Sequence, residues 1–303
     1  MESRPLRYFV TVAEELNFAR AAERLGISPP PLSRAIRRLE ADLGVTLFER
    51  TTHRVVLTPA GEVLLGEARI ALDALEAAGR RARRAAAADA GLVLAVKADG
   101  DAGLLQPVLE RYAADPAAVP VTVRLCAWRE SHRLLRRGEA DVALVHDPFD
   151  RTGLDSETLV VEERVAVLAA RDPLAARDAL STADLGLRPG EVHRFRDGVR
   201  GEGRDLAQML TLVALGDMVG LLPASVADRY PRPDVVYRRV SDAPPAVLSI
   251  AWPQQSRSRA VAALVRAAVA VAEATRTRSA PTGSEAAAAA VRAPTSAALP
   301  APA

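Results

Sequence analysis

The sequence has one cysteine, one lysine and four histidines, and each scarcity excludes a class of site. With Cys126 alone, no disulfide can form within one chain, so a redox switch built on a cysteine pair is excluded. We expect Cys126 to be a small, buried apolar residue. The histidines lack metal-ligand spacing, so we expect neither a metal nor a cofactor. They are His53, His132, His146 and His193.

Long apolar runs are also absent. No stretch reaches the roughly 18 apolar residues of a membrane-spanning helix. The start, MESRPLRYFV, lacks the apolar core and cleavage site of a signal peptide. With 303 residues, 49% of them apolar and 26% charged, the chain has a globular composition and room for two or three domains. We therefore expect a cytoplasmic protein with no membrane partner.

The motifs of common enzyme classes are missing as well. We find no G-x-S-x-G elbow, no glycine-rich phosphate loop and no Cys–His pair. The Gly201-Glu202-Gly203 stretch is too incomplete for a dinucleotide fingerprint and is interpreted as a turn. We expect no catalytic residue and no enzymatic activity. An enzyme built on the C-terminal part of the chain is the competing class, and turnover without DNA would favour it.

Three consecutive prolines interrupt the helical pattern of residues 21–40, AAERLGISPPPLSRAIRRLE. A proline inside a helix costs about 3 kcal/mol, but the first turn tolerates it because its N–H groups have no intrahelical partner. With Ser28 as the cap, the prolines take the first three helical positions. A preceding helix begins after Asn17, and the chain turns at Gly26 between the two helices. The pattern predicts a helix-turn-helix at about 18–37.

A small hairpin and a long helix are predicted next. LFERTTHRVVL holds two short β-prone runs around residues 51–53, which suit a wing beside the helix-turn-helix and complete a winged domain over 1–58. Thr58 and Pro59 then open a helix over 59–88. Its narrow apolar seam lies outside any expected core, so we expect the seam to pack against a second helix. We therefore interpret this segment as a linker and dimerisation helix. The seam consists of Leu64, Ala68, Ala71, Leu75, Ala78 and Ala82.

From Gly91 onward, strand-like and helix-like segments alternate. This order favours a parallel α/β sheet with ligands at the carboxyl ends of its strands. We expect a two-lobed domain over 91–274, with the first lobe at about 91–161 and 253–274. The second lobe, about 162–252, includes the AVLSIAW strand. The Ala/Pro-rich tail, 275–303, is predicted to be disordered.

Two groups of segments resemble one known family. LRYFVTVAEELNFARAAERLGIS, PLSRAIRRLEADLGVTLFERT and RVVLTPAG closely resemble the N-terminal signature of LysR-type transcriptional regulators, over residues 1 to about 85. GEADVALVH, DPLAARDALSTADL and VGLLPASVA look like that family's effector domain. The resemblance implies a winged helix-turn-helix, a linker helix and a two-lobed α/β effector domain of the periplasmic-binding-protein type.

The resemblance also implies a function. It implies a cytoplasmic regulator that binds double-stranded DNA at a dyad-symmetric promoter site, as a dimer or tetramer. A small-molecule effector in the interlobe cleft is expected to modulate it, and RNA polymerase is a further partner that the resemblance allows.

Two departures from the family pattern matter. Family members commonly carry Gln where this chain has Pro29, which cannot read a base edge. The second lobe is short between Leu185 and Asp205, so a constitutive DNA-binding protein whose shortened lobe only oligomerises is the alternative.

Between Arg20 and Arg54 the chain has seven arginines against four acids, a local net charge of +3. If the helix after the prolines enters the major groove, its first turns reach the bases. The expected DNA-binding residues are Ser28, Pro30, Pro31, Ser33, Arg34, Arg37, Arg50 and Arg54. Two alternatives stay open. Arg37 and Arg38 could pair with Glu40 or Asp42 on a solvated helix face, and the two hairpin arginines could pair with Glu49.

The expected effector-binding residues follow the strands that face the interlobe cleft. They are Asp99, Gly100, Asp101, Trp128, His146 and Phe149. Two acids at the mouth of a cleft favour a cationic or polyhydroxylated ligand over a carboxylate. As alternatives, Asp101 caps the following helix and His146 is a satisfied residue at a strand end.

Overall fold

The computed structural model describes residues 2–50, 54–85, 91–128, 130–195 and 205–279. Its N-terminal part packs three helices, α1 (Ser3–Glu15), α2 (Phe18–Leu25) and α3 (Pro29–Leu43), against an antiparallel hairpin of β1 (Phe48–Arg50) and β2 (Val55–Leu57). Phe9, Leu32, Ile36 and Leu47 are fully buried at its centre. Residues 51–53 of the expected turn lie outside the described residues. This is the winged helix-turn-helix that the pattern predicts.

The helix ends follow from the residues at their caps. The Asn17 side chain accepts the N–H groups of Ala19 and Arg20 at the start of α2. Ser28 is the N-cap of α3, yet its side chain makes no capping hydrogen bond. The reason is that an N-cap accepts from the second or third helical N–H, and prolines at both positions have none. The Ser28 hydroxyl is therefore left exposed at the tip of α3.

Helix α4 (Pro59–Ala85) joins the two parts of the chain. Thr58 Oγ1 accepts the Gly61 N–H at 3.0 Å, as a cap should. The expectation that the seam lies outside any core is wrong for Leu64 and Ala68, which pack on the N-terminal core. The remaining seam residues, Ala71, Leu75, Ala78 and Ala82, are exposed. Residues 86–88 of the expected helix lie outside the described residues.

The first lobe is a five-stranded sheet in the order β4-β3-β5-β12-β6. Its strands are β3 (Leu92–Lys97), β4 (Val121–Cys126), β5 (Val142–His146), β6 (Leu154–Glu162) and β12 (Ala246–Pro253). The first three are parallel, whereas β12 is antiparallel to both of its neighbours. Its helices are α5 (Leu105–Ala113), α6 (Ser131–Arg136) and α9 (Arg259–Ser279).

Among the described residues, the second lobe is a five-stranded sheet in the order β8-β11-β7-β10-β9. Its strands are β7 (Arg164–Ala169), β8 (Ala179–Leu180), β9 (His193–Phe195), β10 (Met218–Pro223) and β11 (Val235–Val240), with helices α7 (Leu206–Leu215) and α8 (Ala224–Arg229). The chain crosses between the lobes at Glu163 and again at 241–245. The expected shortness between Leu185 and Asp205 stays a prediction, because residues 196–204 lie outside the described residues.

Several expectations need correction. The parallel sheet holds for β3, β4 and β5, but the second lobe is antiparallel apart from the β8–β11 pair. AVLSIAW forms most of β12 and belongs to the first lobe, because it pairs with β5 and β6. An apolar run predicts that a strand is buried, but it does not predict which strands pair with it. Strands β5 and β6 are distant from β12 in sequence, so the lobe could not be inferred.

The C-terminal helix is longer than expected, and one side chain is less buried. Helix α9 runs to Ser279, so disorder from residue 275 is wrong for 275–279. The Thr275 hydroxyl donates to Val271 O at 2.9 Å, as a helical threonine does.

Cys126 is half-buried rather than buried, and this partial burial raises the pKa of its thiol. Residues 201–203 and 280–303 lie outside the described residues. None of the described helices has the length and apolar character that a bilayer crossing needs.

Candidate DNA-binding surface and interlobe cleft

The outer face of α3 is polar and basic. Leu32, Ile36 and Leu39 face the core, and the helical repeat of 100° per residue turns the opposite face to solvent. That face exposes Pro30, Arg34, Arg37 and Arg38. The structure thus places three guanidinium groups and one proline ring of the first turn on a single exposed surface.

The arginines of this region fall into two groups. Arg24 bridges Glu14 at 3.0 Å and Glu15 at 3.1 Å, so it holds α2 against α1. By contrast, Arg34, Arg37 and Arg38 make no hydrogen bond or ion pair with any residue that the structure describes. These three therefore present unshared donors to the solvent.

The expected alternative, in which Arg37 and Arg38 pair with Glu40 or Asp42, is wrong. Glu40 Oε1 instead accepts the backbone N–H groups of Leu47 at 3.0 Å and Phe48 at 3.3 Å. Glu40 therefore holds the start of the hairpin in place.

Arg38 is not among the expected DNA-binding residues, yet it lines a surface groove with Arg34. Its position one helical turn after Arg34 is the signal that could have identified it.

The other expected DNA-binding residues lie at the start of α3 and at the hairpin. Ser28 is exposed, and Pro31 and Ser33 are half-buried. Arg54 is exposed just before β2. Arg50 is the last residue of β1, and its side chain lies outside what the structure describes.

A cavity of about 110 Å³ lies between the two lobes. Four of the six expected effector-binding residues line it: Asp99, Gly100, Trp128 and His146. The second lobe adds a largely apolar wall, which includes Phe195, Leu206, Met209, Met218, Leu222 and Val226. Phe149 lies instead in a small adjoining hollow and stacks with the Arg151 guanidinium, 4.3 Å from the ring centroid. Sequence reasoning thus located one wall of the cavity.

Gly100 packs closely against His146 at this cavity. A Cβ atom at Gly100 would lie 3.1 Å from His146 Cε1 and 3.3 Å from the Lys97 carbonyl oxygen. Both contacts are tighter than ordinary van der Waals contact, so an alanine would require the His146 ring and the end of β3 to shift by a few tenths of an ångström.

Both acids of the first strand's end are used within the protein. Asp101 is buried, accepts the Leu105 N–H at 3.1 Å and pairs with Arg229 of the second lobe at 2.9 Å. Burial opposes its ionisation, but the hydrogen bonds from Arg229 and Leu105 outweigh burial and lower the Asp101 pKa. Asp99 accepts a hydrogen bond from the Tyr230 hydroxyl, also of the second lobe.

These contacts bear on the ligand expectation. Asp101 accepts the Leu105 N–H at the first residue of α5, and it does not line the cavity. Asp205, at the cavity wall, accepts the Gln208 N–H at 2.8 Å and caps α7. One accepted hydrogen bond leaves a carboxylate with further acceptor sites, and Asp99 and Asp205 both line the cavity, so a cationic or polyhydroxylated ligand stays a prediction.

The cavity also contains cations. Arg164 is only 6% exposed, and its Nε donates to the Pro244 carbonyl oxygen at 3.1 Å. Lys97 lies 5.8 Å from the Trp128 ring centroid, and burial lowers the pKa of its ammonium. Neither makes an ion pair with a described residue. Burial, followed by the charges of Lys97 and Arg164, lowers the His146 pKa to about 4, so His146 is neutral at pH 7.

Sequence reasoning missed both cations. Lys97 had a usable signal, since it is the only lysine and ends a predicted strand. Arg164 had none, because it begins a strand that sequence alone cannot place beside Lys97.

Comparisons with known proteins cover both parts of the chain. Residues 3–62 match the bacterial regulatory helix-turn-helix protein, lysR family, and residues 86–273 match the LysR substrate binding domain. The chain is 30% identical to the HTH-type transcriptional regulator AlsR of Bacillus subtilis over 260 residues, 79% of this chain and 86% of AlsR. It is 32% identical to the HTH-type transcriptional regulator BudR of Raoultella terrigena over 290 residues, 86% of this chain and 98% of BudR.

Solved structures agree with these matches. CbnR, a LysR family transcriptional regulator, is 26% identical with a TM-score of 0.54, over 90% of this chain and 99% of CbnR. Full-length CbnR complexed with its target DNA gives a TM-score of 0.51 at 26% identity, over 89% of this chain and 100% of CbnR.

Proposed function

The chain belongs to the LysR family of DNA-binding transcriptional regulators, and we propose that it recognises a dyad-symmetric promoter site as a dimer or tetramer. The observation that carries this proposal is the outer face of α3, where Arg34, Arg37 and Arg38 have no partner among the described residues. Three exposed guanidinium groups on the second helix of a helix-turn-helix suit DNA, since that helix lies in the major groove.

The roles of individual residues follow from their positions. Arg34 and Arg37 contact base edges, for which an arginine–guanine pair is the commonest specific contact. Arg38 and the hairpin arginines, Arg50 and Arg54, contact phosphates and position the helix. The first turn adds contacts of a different kind. Pro30 and Pro31 offer van der Waals contact to a thymine methyl or a sugar, and Ser28 and Ser33 offer hydroxyl groups.

The exposed half of α4 supports self-association. Ala71, Leu75 and Ala78 lie on one exposed stripe, and Leu75 is 53% exposed. Small residues let two helices approach closely, while the leucine supplies apolar area. Pairing of this stripe with its copy in a second chain would set two α3 helices on two half-sites.

The cleft supports modulation by a small-molecule effector over a constitutive regulator. A lobe that served oligomerisation alone would need neither a cavity between the lobes nor the buried Arg164, which forms no ion pair with a described residue. We assign no catalytic activity, since AlsR and BudR are named transcriptional regulators. As a regulator of transcription the protein would act in the cytoplasm, with RNA polymerase as a further partner.

The test is a salt-dependent binding titration of the purified protein against the intergenic DNA upstream of its own gene. A scrambled duplex of equal length is the control. We expect tight, sequence-selective binding with a footprint over two half-sites, one helical turn or a multiple apart. Weak binding that is equal on both duplexes would contradict recognition of this site.

A further inference from the structure

Helix α8 begins at the place where the chain first crosses between the lobes. The Ala224 N–H donates to the Glu163 carbonyl oxygen at 3.0 Å. The Ser225 N–H and hydroxyl donate to the Glu162 carboxylate at 2.7 and 3.0 Å. Because Glu162 ends β6 and Glu163 is the crossing itself, these bonds fix the start of α8 at the crossing.

The other end of α8 is bonded to the first lobe. Arg229, its last residue, pairs with Asp101 at 2.9 Å, and the next residue, Tyr230, donates its hydroxyl to Asp99. Both acids belong to the loop between β3 and α5. The Tyr237 hydroxyl of β11 donates to the Tyr230 carbonyl oxygen at 2.9 Å. Tyr230 thus connects the sheet of the second lobe with the loop of the first.

The pair between Arg229 and Asp101 differs from an ordinary surface ion pair. The Asp101 side chain is only 11% exposed, and the Arg229 side chain is 38% exposed. Exposed pairs contribute little to stability, but a buried carboxylate whose ionic partner is removed keeps an uncompensated charge. Separation of the lobes at this point is therefore more costly than the loss of a surface ion pair.

The loop that receives α8 has a backbone conformation that depends on its surroundings. Asp99 has a φ of 61° and Ala102 a φ of 50°, in the left-handed region that is unfavourable for residues with a Cβ atom. Such residues persist where the surrounding structure holds them. The carboxylates of this loop accept their hydrogen bonds from the end of α8, so the loop and the helix support each other.

A short helix that is bonded at both ends resists rotation of the lobes. Helix α8 has six residues and is about 9 Å long. A rotation of about 20° that carries the second lobe away from the first would move the far end of α8 by about 3 Å. A hydrogen bond of 2.9 Å does not survive such a displacement. The lobes can therefore separate in this way only if the bonds at the end of α8 break.

We propose that α8 is a strap between the lobes. While Arg229 and Tyr230 are bonded to the first lobe, the strap holds the effector domain at one interlobe angle, and their release lets the lobes rotate about the crossings. This inference goes beyond the proposed function, because the strap acts within the protein itself and needs no ligand in the cleft.

The experiment is a distance measurement by electron paramagnetic resonance between two spin labels, one on each lobe of the full-length protein. Cys126→Ser removes the only thiol, and Ala262→Cys on α9 and Leu215→Cys on α7 supply exposed labelling sites. Labelled chains are diluted with unlabelled ones, so that only distances within one chain are measured. With the strap intact, we expect one narrow distance distribution.

Matched variants release the strap. Arg229→Gln removes the ion pair, and Tyr230→Phe removes only a hydroxyl group. Each loss of a hydrogen bond to a charged group should shift the equilibrium toward the released form by about tenfold or more, and the double variant by about 100-fold. We expect the double variant to show a second distance, displaced by about 3 Å or more. Asp101→Asn should act like Arg229→Gln, since asparagine can still accept the Leu105 N–H.

Arg232→Gln is the control, because Arg232 pairs with Asp234 at 2.6 Å within the second lobe. It should keep the original distribution. An unchanged distribution in the double variant would overturn the strap. A shift of equal size in Arg232→Gln would also overturn it, because weakening of the second lobe would then explain the movement. Circular dichroism checks that each variant is folded, and if Arg229→Gln is not, Tyr230→Phe carries the test with a single atom removed.

Discussion

Replacing Arg34 or Arg37 by alanine tests the recognition surface, because neither side chain has an intramolecular partner among the described residues. Removing an exposed side chain without a partner should change the free energy of unfolding by no more than about 0.5 kcal/mol. Any larger effect on DNA binding would then come from the DNA contact itself.

The size of that effect follows from the number of copies. One arginine–guanine pair contributes about 1–3 kcal/mol of discrimination, and a dimer carries each arginine twice. The specific affinity should therefore fall by about 2–6 kcal/mol, or roughly 30- to 20,000-fold. Binding to a scrambled duplex should fall far less. Loss of a phosphate contact would instead reduce the salt slope by about 0.9 per contact on both duplexes.

The assay is a fluorescence anisotropy titration of both variants on specific and scrambled duplexes over a range of salt concentrations, with thermal unfolding of each variant. Arg24→Ala is the matched control. Arg24 bridges Glu14 and Glu15, so its loss should lower stability without changing the ratio of specific to non-specific binding. Equal losses on both duplexes for Arg34→Ala, or a drop in its stability, would refute the base-reading role.

Two further predictions concern α4 and the cleft. Leu75→Glu should shift the protein toward monomers in analytical ultracentrifugation, because two buried glutamates would repel; an unchanged sedimentation coefficient would contradict pairing through this stripe. The His146 pKa of about 4 lies below its ordinary 6.5, so the unfolded state binds more protons between these values and stability falls as pH is lowered from 7 to 4. The loss should reach about 3 kcal/mol for the effector-domain transition, and His146→Gln should flatten it; equal pH profiles would contradict this origin.

Much of the DNA-binding surface could be predicted because its determinants are local. Three prolines can occupy a helix only in its first turn, so they locate the start of α3 at Pro29. From that start, the helical repeat separates buried Leu32 and Ile36 from exposed Arg34 and Arg37. The missing cap at Ser28 follows from the same prolines. Only the structure shows the role of Glu40, whose carboxylate accepts a hydrogen bond from the backbone N–H of Leu47 at the start of the hairpin.

The cleft was predicted less well because its residues meet over long distances in sequence. Asp99 and Asp101 were expected to face a ligand, since each follows a strand. Their partners, Tyr230 and Arg229, lie 131 and 128 residues away. No periodicity connects residues so far apart, so these two contacts between the lobes could not be inferred from the sequence.

By itself, the sequence determined the helix caps, the position of the recognition helix, the basic face and the alternation of strands and helices. Each depends on backbone geometry within a few residues. Only the tertiary structure decided that β12 closes the first lobe, that both cleft acids are paired and that Arg164 faces the cavity. The physical reason is that strand pairing and charge compensation depend on which distant residues the fold brings together, whereas caps and helical faces depend on neighbours along the chain.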